Sequence, residues 1–157
     1  MTKKIKNHPL LAVFMTVFID LLGVGILIPV FPQLVTPTSP DSILPAGWTV
    51  AQGFILLGWL SAAYPLAQFL AAPIMGQLAD RFGRKPVLAI SILGTAIGYA
   101  LFAIGLITKN IPLLFFSRIL DGFTGGNISV AQAAIADIST AKNRAKNFGL
   151  IGMAFGL

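Results

Sequence analysis

Residues 76–86 read Gly-Gln-Leu-Ala-Asp-Arg-Phe-Gly-Arg-Lys-Pro, a short charged connection between two long apolar runs. Gly76 would allow two helices to approach closely, and Gly83 would allow a tight turn. Pro86 suits the first turn of a following helix, and Asp80 is placed to meet a helix N-terminus or a nearby Arg. A basic loop between two helices indicates only membrane topology. The spacing of Gly76, Gly83 and Asp80 is a more specific pattern than such a loop.

The apolar runs on either side extend through most of the chain. Its 157 residues are 56% hydrophobic and only 10% charged, whereas ordinary soluble domains are about 25% charged. Since a helix needs about 20 residues to cross the hydrocarbon core, the sequence predicts four full membrane helices, at residues 10–34, 52–75, 86–107 and 112–138. A fifth begins at residue 148 and runs to 157, about half a bilayer. The expected fold is therefore an all-α integral membrane bundle.

The basic residues predict the orientation of this bundle. They form three clusters separated by pairs of apolar runs: Lys3, Lys4 and Lys6; Arg81, Arg84 and Lys85; Lys142, Arg144 and Lys146. The other connections contain only Lys109. By the positive-inside rule, the N-terminus is cytoplasmic and the protein is a multi-pass protein of a cell membrane, here predicted as a bacterial inner membrane. A net charge of +6 distributed in this way indicates membrane topology and not a nucleic-acid partner.

Several classes of chemistry are not supported by the sequence. There is no Cys, and His8 is the single His, so the sequence predicts neither thiol chemistry nor a metal site. It contains no phosphate-binding Gly-rich loop and no His-containing triad. We therefore expect no enzyme activity and no cofactor. The first apolar run is too long for a signal peptide and contains Asp20, which indicates a retained helix.

Three charged residues lie well inside apolar segments. An ionised carboxylate there costs a few kcal/mol or more, so Asp20 and Asp121 should border a wet cavity, meet a cation or be protonated. Arg118 stands three positions before Asp121, which puts the two on one helix face. These three are the candidate residues for proton or substrate coupling. A permanent helix–helix pair is the structural alternative for each carboxylate.

The face that Arg118 and Asp121 share continues along the helix through Gly125, Ser129 and Gln132. A polar stripe on a membrane helix should line the bundle interior or a water path, because lipid cannot satisfy it. The sequence thus predicts that the three continuing residues line a cavity. Asp137, before the basic fourth connection, is interpreted as a local charge partner.

The motifs resemble those of a known family. Residues 76–86 resemble motif A of the major facilitator superfamily, and residues 115–126, Phe-Phe-Ser-Arg-Ile-Leu-Asp-Gly-Phe-Thr-Gly-Gly, resemble its motif B. Residues 20–29, Asp-Leu-Leu-Gly-Val-Gly-Ile-Leu-Ile-Pro, resemble the first-helix motif of the twelve-helix drug–proton antiporters. The likeness is nearest to the tetracycline efflux group and includes Ala-Asp-Ile at residues 136–138.

The resemblance implies a rocker-switch transporter with two six-helix halves, of which residues 1–157 are an incomplete N-terminal half. Its partners would be the lipid bilayer, protons, a small-molecule substrate and the missing C-terminal half. Motif B commonly has a neutral small residue or Gln where this chain has Asp121, so Arg118 is a candidate for an ion pair. We do not expect residues 1–157 to transport alone, because the remaining helices of the predicted transporter are missing.

The leading hypothesis is secondary active, proton-coupled export of small amphipathic or cationic molecules, of the multidrug or tetracycline type. Coupling would involve Asp20, Arg118 and Asp121. The cytoplasmic gating loop would consist of Gly76, Asp80, Arg81, Gly83 and Arg84. One alternative keeps the fold but imports sugars or metabolites with protons. Another is a short membrane interaction protein that transports nothing.

Overall fold

A computed structural model describes residues 8–125 and 127–156 of the chain. The predicted all-α fold class is confirmed, because the described residues form helices joined by turns and contain no strand. The helices are α1 (His8–Leu34), α2 (Val50–Phe82), α3 (Arg84–Ile107), α4 (Ile111–Thr124), α5 (Asn127–Ile138) and α6 (Arg144–Gly156). Among the described residues, three helices are long and apolar enough to cross a membrane: Val13–Leu34, Val50–Phe82 and Arg84–Ile107.

The helix ends follow from local sequence. Thr49 caps α2 with a capping box, in which its hydroxyl accepts from the Gln52 N–H while the Gln52 side chain accepts from the Thr49 N–H. Asn110 caps α4 by accepting from the Leu113 N–H at 3.1 Å. Gly83 separates α2 from α3 with a φ of 92°, a value that favours glycine, so the predicted tight turn is present.

The segment predicted as one helix over residues 112–138 is described as two helices, α4 and α5. Gly125 ends α4, and its carbonyl accepts a hydrogen bond from the Gln68 side chain of α2. The Thr124 hydroxyl also donates to the carbonyls of Leu120 and Asp121 within the last turn. Glycine is a poor helix former, and side chains that engage backbone carbonyls divert them from the helical ladder. Residue 126 lies outside the described part of the chain, as does residue 157, where the fifth predicted segment ends.

Helix α4 lies between α2 and α3 and packs extensively against both. Small residues permit this. A Cβ added to Gly98 of α3 would lie 2.9 Å from the Asp121 Cβ, and one added to Gly122 would collide with the Tyr64 carbonyl of α2. By contrast, a Cβ at Gly76 would meet nothing within 4 Å. The expectation that Gly76 brings two helices together is therefore wrong, because no neighbour approaches it in the described residues.

Helix α1 packs mainly against α5 and α6. One apolar cluster, which includes Val17, Ala131 and Ile135, joins these three helices. A second, which includes Leu60 and Leu114, joins α2, α3 and α4 near the loop at residues 35–49. Large apolar side chains cover the outside of the bundle, as expected for a surface in contact with lipid: Phe69 and Ile107 are 76% and 82% exposed.

The contact at Gly122 predicts a large local effect of a single methyl group. Gly122→Ala should lower the free energy of unfolding by about 1–3 kcal/mol, because the α2 backbone beside it cannot move without disturbing the bundle. Gly58→Ala is the matched control, since a Cβ there meets nothing within 4 Å and alanine favours the helix. Thermal unfolding in detergent measures both. Equal stability of the two variants would contradict the packing described here.

Candidate functional site

The predicted residue Asp20 lies in the interior of the bundle. Its exposed fraction is only 4%, although it is on α1 among apolar neighbours. The Tyr64 hydroxyl of α2 donates a hydrogen bond to Asp20 Oδ2 at 3.3 Å, and the same hydroxyl accepts from Gln68 Nε2 at 3.1 Å. A buried carboxylate requires such partners, because removal from water is costly. Asp20 is thus built into a polar group that spans two helices.

The other two predicted coupling residues, Arg118 and Asp121, form an ion pair within α4. Arg118 Nη2 and Asp121 Oδ2 are 3.4 Å apart, and their side chains are 2% and 1% exposed. The guanidinium carbon also lies 5.0 Å from the ring centroid of Tyr99 and 4.4 Å from that of Phe102. Aromatic faces attract cations, so the rings and the carboxylate together fix the position of the Arg118 charge.

Two clefts approach this polar group from different sides. A cavity of about 670 Å³ between α1 and α3 is lined by Asp20 and Tyr99 among apolar side chains. A cavity of about 430 Å³ between α1 and α2 is lined by Tyr64 and Arg118, again among apolar side chains. The charged and hydroxyl groups thus lie between two mainly apolar spaces. This arrangement suits an amphipathic ligand, since apolar walls with a few convergent polar groups are typical of small-molecule sites.

The three predicted cavity-lining residues do not share one environment. Ser129 and Gln132 line a third cavity of about 330 Å³ together with Gln68 and Phe69 of α2. Gly125 is buried, and a Cβ added there would lie 2.9 Å from the Tyr64 hydroxyl oxygen. Because α4 ends at Gly125, the stripe predicted on a single helix is divided between α4 and α5.

The gating-loop residues lie at one end of the bundle. Arg84 Nη2 is 2.8 Å from Asp80 Oδ1, and Arg84 Nε donates to Asp137 Oδ2 at 3.2 Å. Asp137, interpreted from sequence as a local charge partner, therefore ties α5 to the first residue of α3. Arg81 is exposed and lies over the Phe82 ring, while Gly83 makes the turn. Such exposed pairs contribute little to stability, so this contact can break at small cost.

Sequence reasoning missed the residues that connect these groups. Tyr64, Gln68 and Tyr99 all contact or approach the charged cluster, yet none was predicted. A signal was present for two of them, because Tyr64 and Gln68 are four residues apart in an apolar run and so share a helix face. Tyr99 lies in an apolar segment, and its hydroxyl is the only sequence feature that could have indicated a polar contact.

The comparisons with known proteins agree with this architecture. The family model described as Major Facilitator Superfamily matches residues 10–157. The chain is 39% identical over 151 residues to the tetracycline resistance protein, class C, of Escherichia coli, covering 96% of this chain and 35% of that protein. It is 37% identical over 139 residues to the class B protein of Escherichia coli, covering 88% and 32%.

A relative that is named for resistance to multiple drugs gives a similar match. Multidrug resistance protein 1 of Bacillus subtilis (strain 168) is 35% identical over 150 residues, which covers 95% of this chain and 35% of that protein. The chain thus spans about a third of the length of these curated relatives. The resemblance inferred from the motifs is confirmed, and the chain belongs to the Major Facilitator Superfamily.

Proposed function

We propose that this chain is the N-terminal part of a proton-coupled exporter of small amphipathic or cationic molecules. The observation that carries the proposal is the buried polar group formed by Asp20, Tyr64, Arg118 and Asp121 between two mainly apolar clefts. Charged groups at such depth are costly in a membrane protein and are retained at substrate or proton pathways. The relatives named for resistance to tetracycline or to multiple drugs support export as the direction.

Asp20 is the group that we assign to proton exchange. It lines the larger cleft, whereas Arg118 and Asp121 hold one another within α4. A carboxyl group exposed alternately to the two sides of a membrane can load a proton on one side and release it on the other. In this scheme Arg118 and Asp121 are a fixed pair of charges beside the exchanging group, and both remain part of the coupling site.

In this proposal Asp80 and Arg84 serve as a latch on the cytoplasmic side. Arg84 pairs with both Asp80 and Asp137, and these two ion pairs would hold that end of the bundle closed. We infer a cytoplasmic N-terminus and a bacterial inner membrane from the distribution of Lys and Arg along the sequence. Gly76 and Arg81 complete the gating loop, with Gly83 as its turn.

Transport by the full protein that contains this chain tests the proposal. In inside-out vesicles with an acidic lumen, labelled tetracycline or a lipophilic cation should accumulate as protons leave. The accumulation should collapse when a protonophore removes the gradient. Labelled sugars and other neutral metabolites in the same vesicles serve as the comparison. Gradient-driven loss of those solutes from preloaded vesicles, with no accumulation of the drugs, would instead establish an importer.

A further inference from the structure

Two side chains of α2 connect Asp20 to the junction between α4 and α5. Gln68 Nε2 donates to the Tyr64 hydroxyl at 3.1 Å and also to the Gly125 carbonyl at 2.5 Å. The Tyr64 hydroxyl in turn donates to Asp20 Oδ2 at 3.3 Å. A continuous chain of hydrogen bonds therefore runs from α1 through α2 to Gly125, the residue that ends α4.

Along the arm from Gln68 to Asp20, the hydrogen bonds all point in one direction. The amide N–H donates to the hydroxyl oxygen, and the hydroxyl hydrogen is directed at the carboxylate. Hydrogen bonds to a charged acceptor are roughly twice as strong as neutral ones, and linked bonds polarise one another. The arm is consequently strongest when Asp20 carries its negative charge and weaker when that charge is lost.

The other arm of Gln68 acts on the backbone. Gly125 is the residue at which α4 ends. Its carbonyl oxygen accepts a hydrogen bond from the Gln68 amide. A side chain that inserts into a helical ladder is a recognised cause of a break or kink. Gln68 therefore stabilises the junction in its present form, and its hold depends on how firmly Tyr64 orients the amide.

Other charged and titratable groups near Asp20 come from the remaining helices that surround it. Tyr99 of α3 lines the same cavity. Asp121 of α4 lies close enough to act electrostatically on both tyrosines, and Arg118 acts on Tyr99. Arg118 is already paired with Asp121 and packed against aromatic rings. Within the described residues, the hydrogen-bonded chain through Tyr64 and Gln68 is thus a distinct route from Asp20 to the α4–α5 junction.

We propose that Tyr64 and Gln68 are positioning residues that transmit the charge state of Asp20 to the α4–α5 junction. This extends the proposed function, and it rests on that function only in taking Asp20 as the group that gains and loses the proton. Loss of the Asp20 charge weakens the hydrogen bond from Gln68 to the Gly125 carbonyl. Helix α5 can then shift relative to α2. The cleft between α2 and α5, lined by Gln68 and Gln132, reports that shift.

Cysteine labelling of the full transporter tests this link without relying on transport. The sequence contains no cysteine, so Gln132→Cys supplies a reporter on α5 within this part of the protein. Its rate of reaction with a membrane-impermeant maleimide is measured with Asp20 and with Asp20→Asn. We expect Asp20→Asn to raise the rate about three- to tenfold, because a neutral hydrogen bond from Tyr64 replaces the stronger charge-assisted one. In a Gln68→Leu background, the same substitution should leave the rate unchanged.

Tyr64→Phe provides a second variant, because it removes only the hydroxyl and keeps the ring that packs in the bundle. It should abolish the response to Asp20→Asn as Gln68→Leu does. Tyr99→Phe is the matched control: it removes a hydroxyl from the same cavity but not from the hydrogen-bonded chain, so the response should persist. Thr38→Cys, in the exposed loop at residues 35–49, should react equally in every background.

The outcomes separate this proposal from the proposed function. A response to Asp20→Asn that is unaffected by both Gln68→Leu and Tyr64→Phe would overturn the link, as would no response in the native background. If the link fails in this way while Asp20→Asn stops transport, proton coupling at Asp20 stands. If the link holds while Asp20→Asn leaves proton-driven transport intact, Asp20 is not the coupling group.

Discussion

Under the proposed function, Asp20→Asn in the full protein that contains this chain should reduce proton-driven drug accumulation to the level of vesicles that lack the protein. Asparagine has nearly the same shape as aspartate and can still accept from Tyr64, but it cannot bind and release a proton. The expected defect is therefore in energy coupling and not in folding. Accumulation of labelled drug in inside-out vesicles with an acidic lumen measures it.

A second assay distinguishes loss of coupling from loss of binding. Exchange of labelled for unlabelled drug across the membrane at equal pH needs no net proton movement, so it should continue in Asp20→Asn vesicles. Asp41→Asn is the control, because Asp41 is exposed in the loop at residues 35–49. Full proton-driven accumulation by Asp20→Asn would remove Asp20 from the mechanism.

Asp121→Ala should destabilise the protein by about 3–5 kcal/mol, because it leaves the Arg118 guanidinium buried without its partner. Removal of both charges in Arg118→Met with Asp121→Ala should recover much of this loss, since an apolar pair suits the site at least as well. Thermal unfolding or steric trapping in lipid–detergent mixtures gives the free energies. The non-additivity of the two substitutions measures the strength of the pair.

Asp137→Ala is the matched control for this comparison. Asp137 also pairs with an arginine, but its side chain is 59% exposed, so its loss should cost at most about 1 kcal/mol. If Asp121→Ala cost no more than Asp137→Ala, the buried charges at α4 would be hydrated or otherwise compensated. That result would argue against a fixed Arg118–Asp121 pair.

Much of the fold could be predicted from the sequence because the bilayer imposes strong rules. Long apolar runs can cross lipid only as helices, and the residues around Gly83 mark a turn whatever the packing. The Arg118–Asp121 pair could also be predicted from the sequence, since residues three positions apart lie on the same face of a helix. These features depend on local sequence or on the solvent, and both are visible without a structure.

The remaining features depend on which helices meet, and the sequence does not state this. The contact between Tyr64 and Asp20 joins residues 44 positions apart, and the contact between Gln68 and Gly125 joins residues 57 apart. The break at Gly125 coincides with that second contact, which periodicity does not reveal, so periodicity alone predicted one continuous helix. Gly76 shows the converse: its small size predicted a close neighbour that the packing does not bring to it.

The close seating of α4 between α2 and α3 has a mechanical consequence. Gly98 and Gly122 leave no free space on either side of α4, so these three helices behave as one stiff block. Helix α1 rests mainly on α5 and α6 instead, and α5 also packs against α2 and α3. The chain passes between the two groups of helices at the loop of residues 35–49 and again between α4 and α5. Deformation within the described residues should thus concentrate between the two groups of helices, with Gly125 as its pivot and Asp20 beside it.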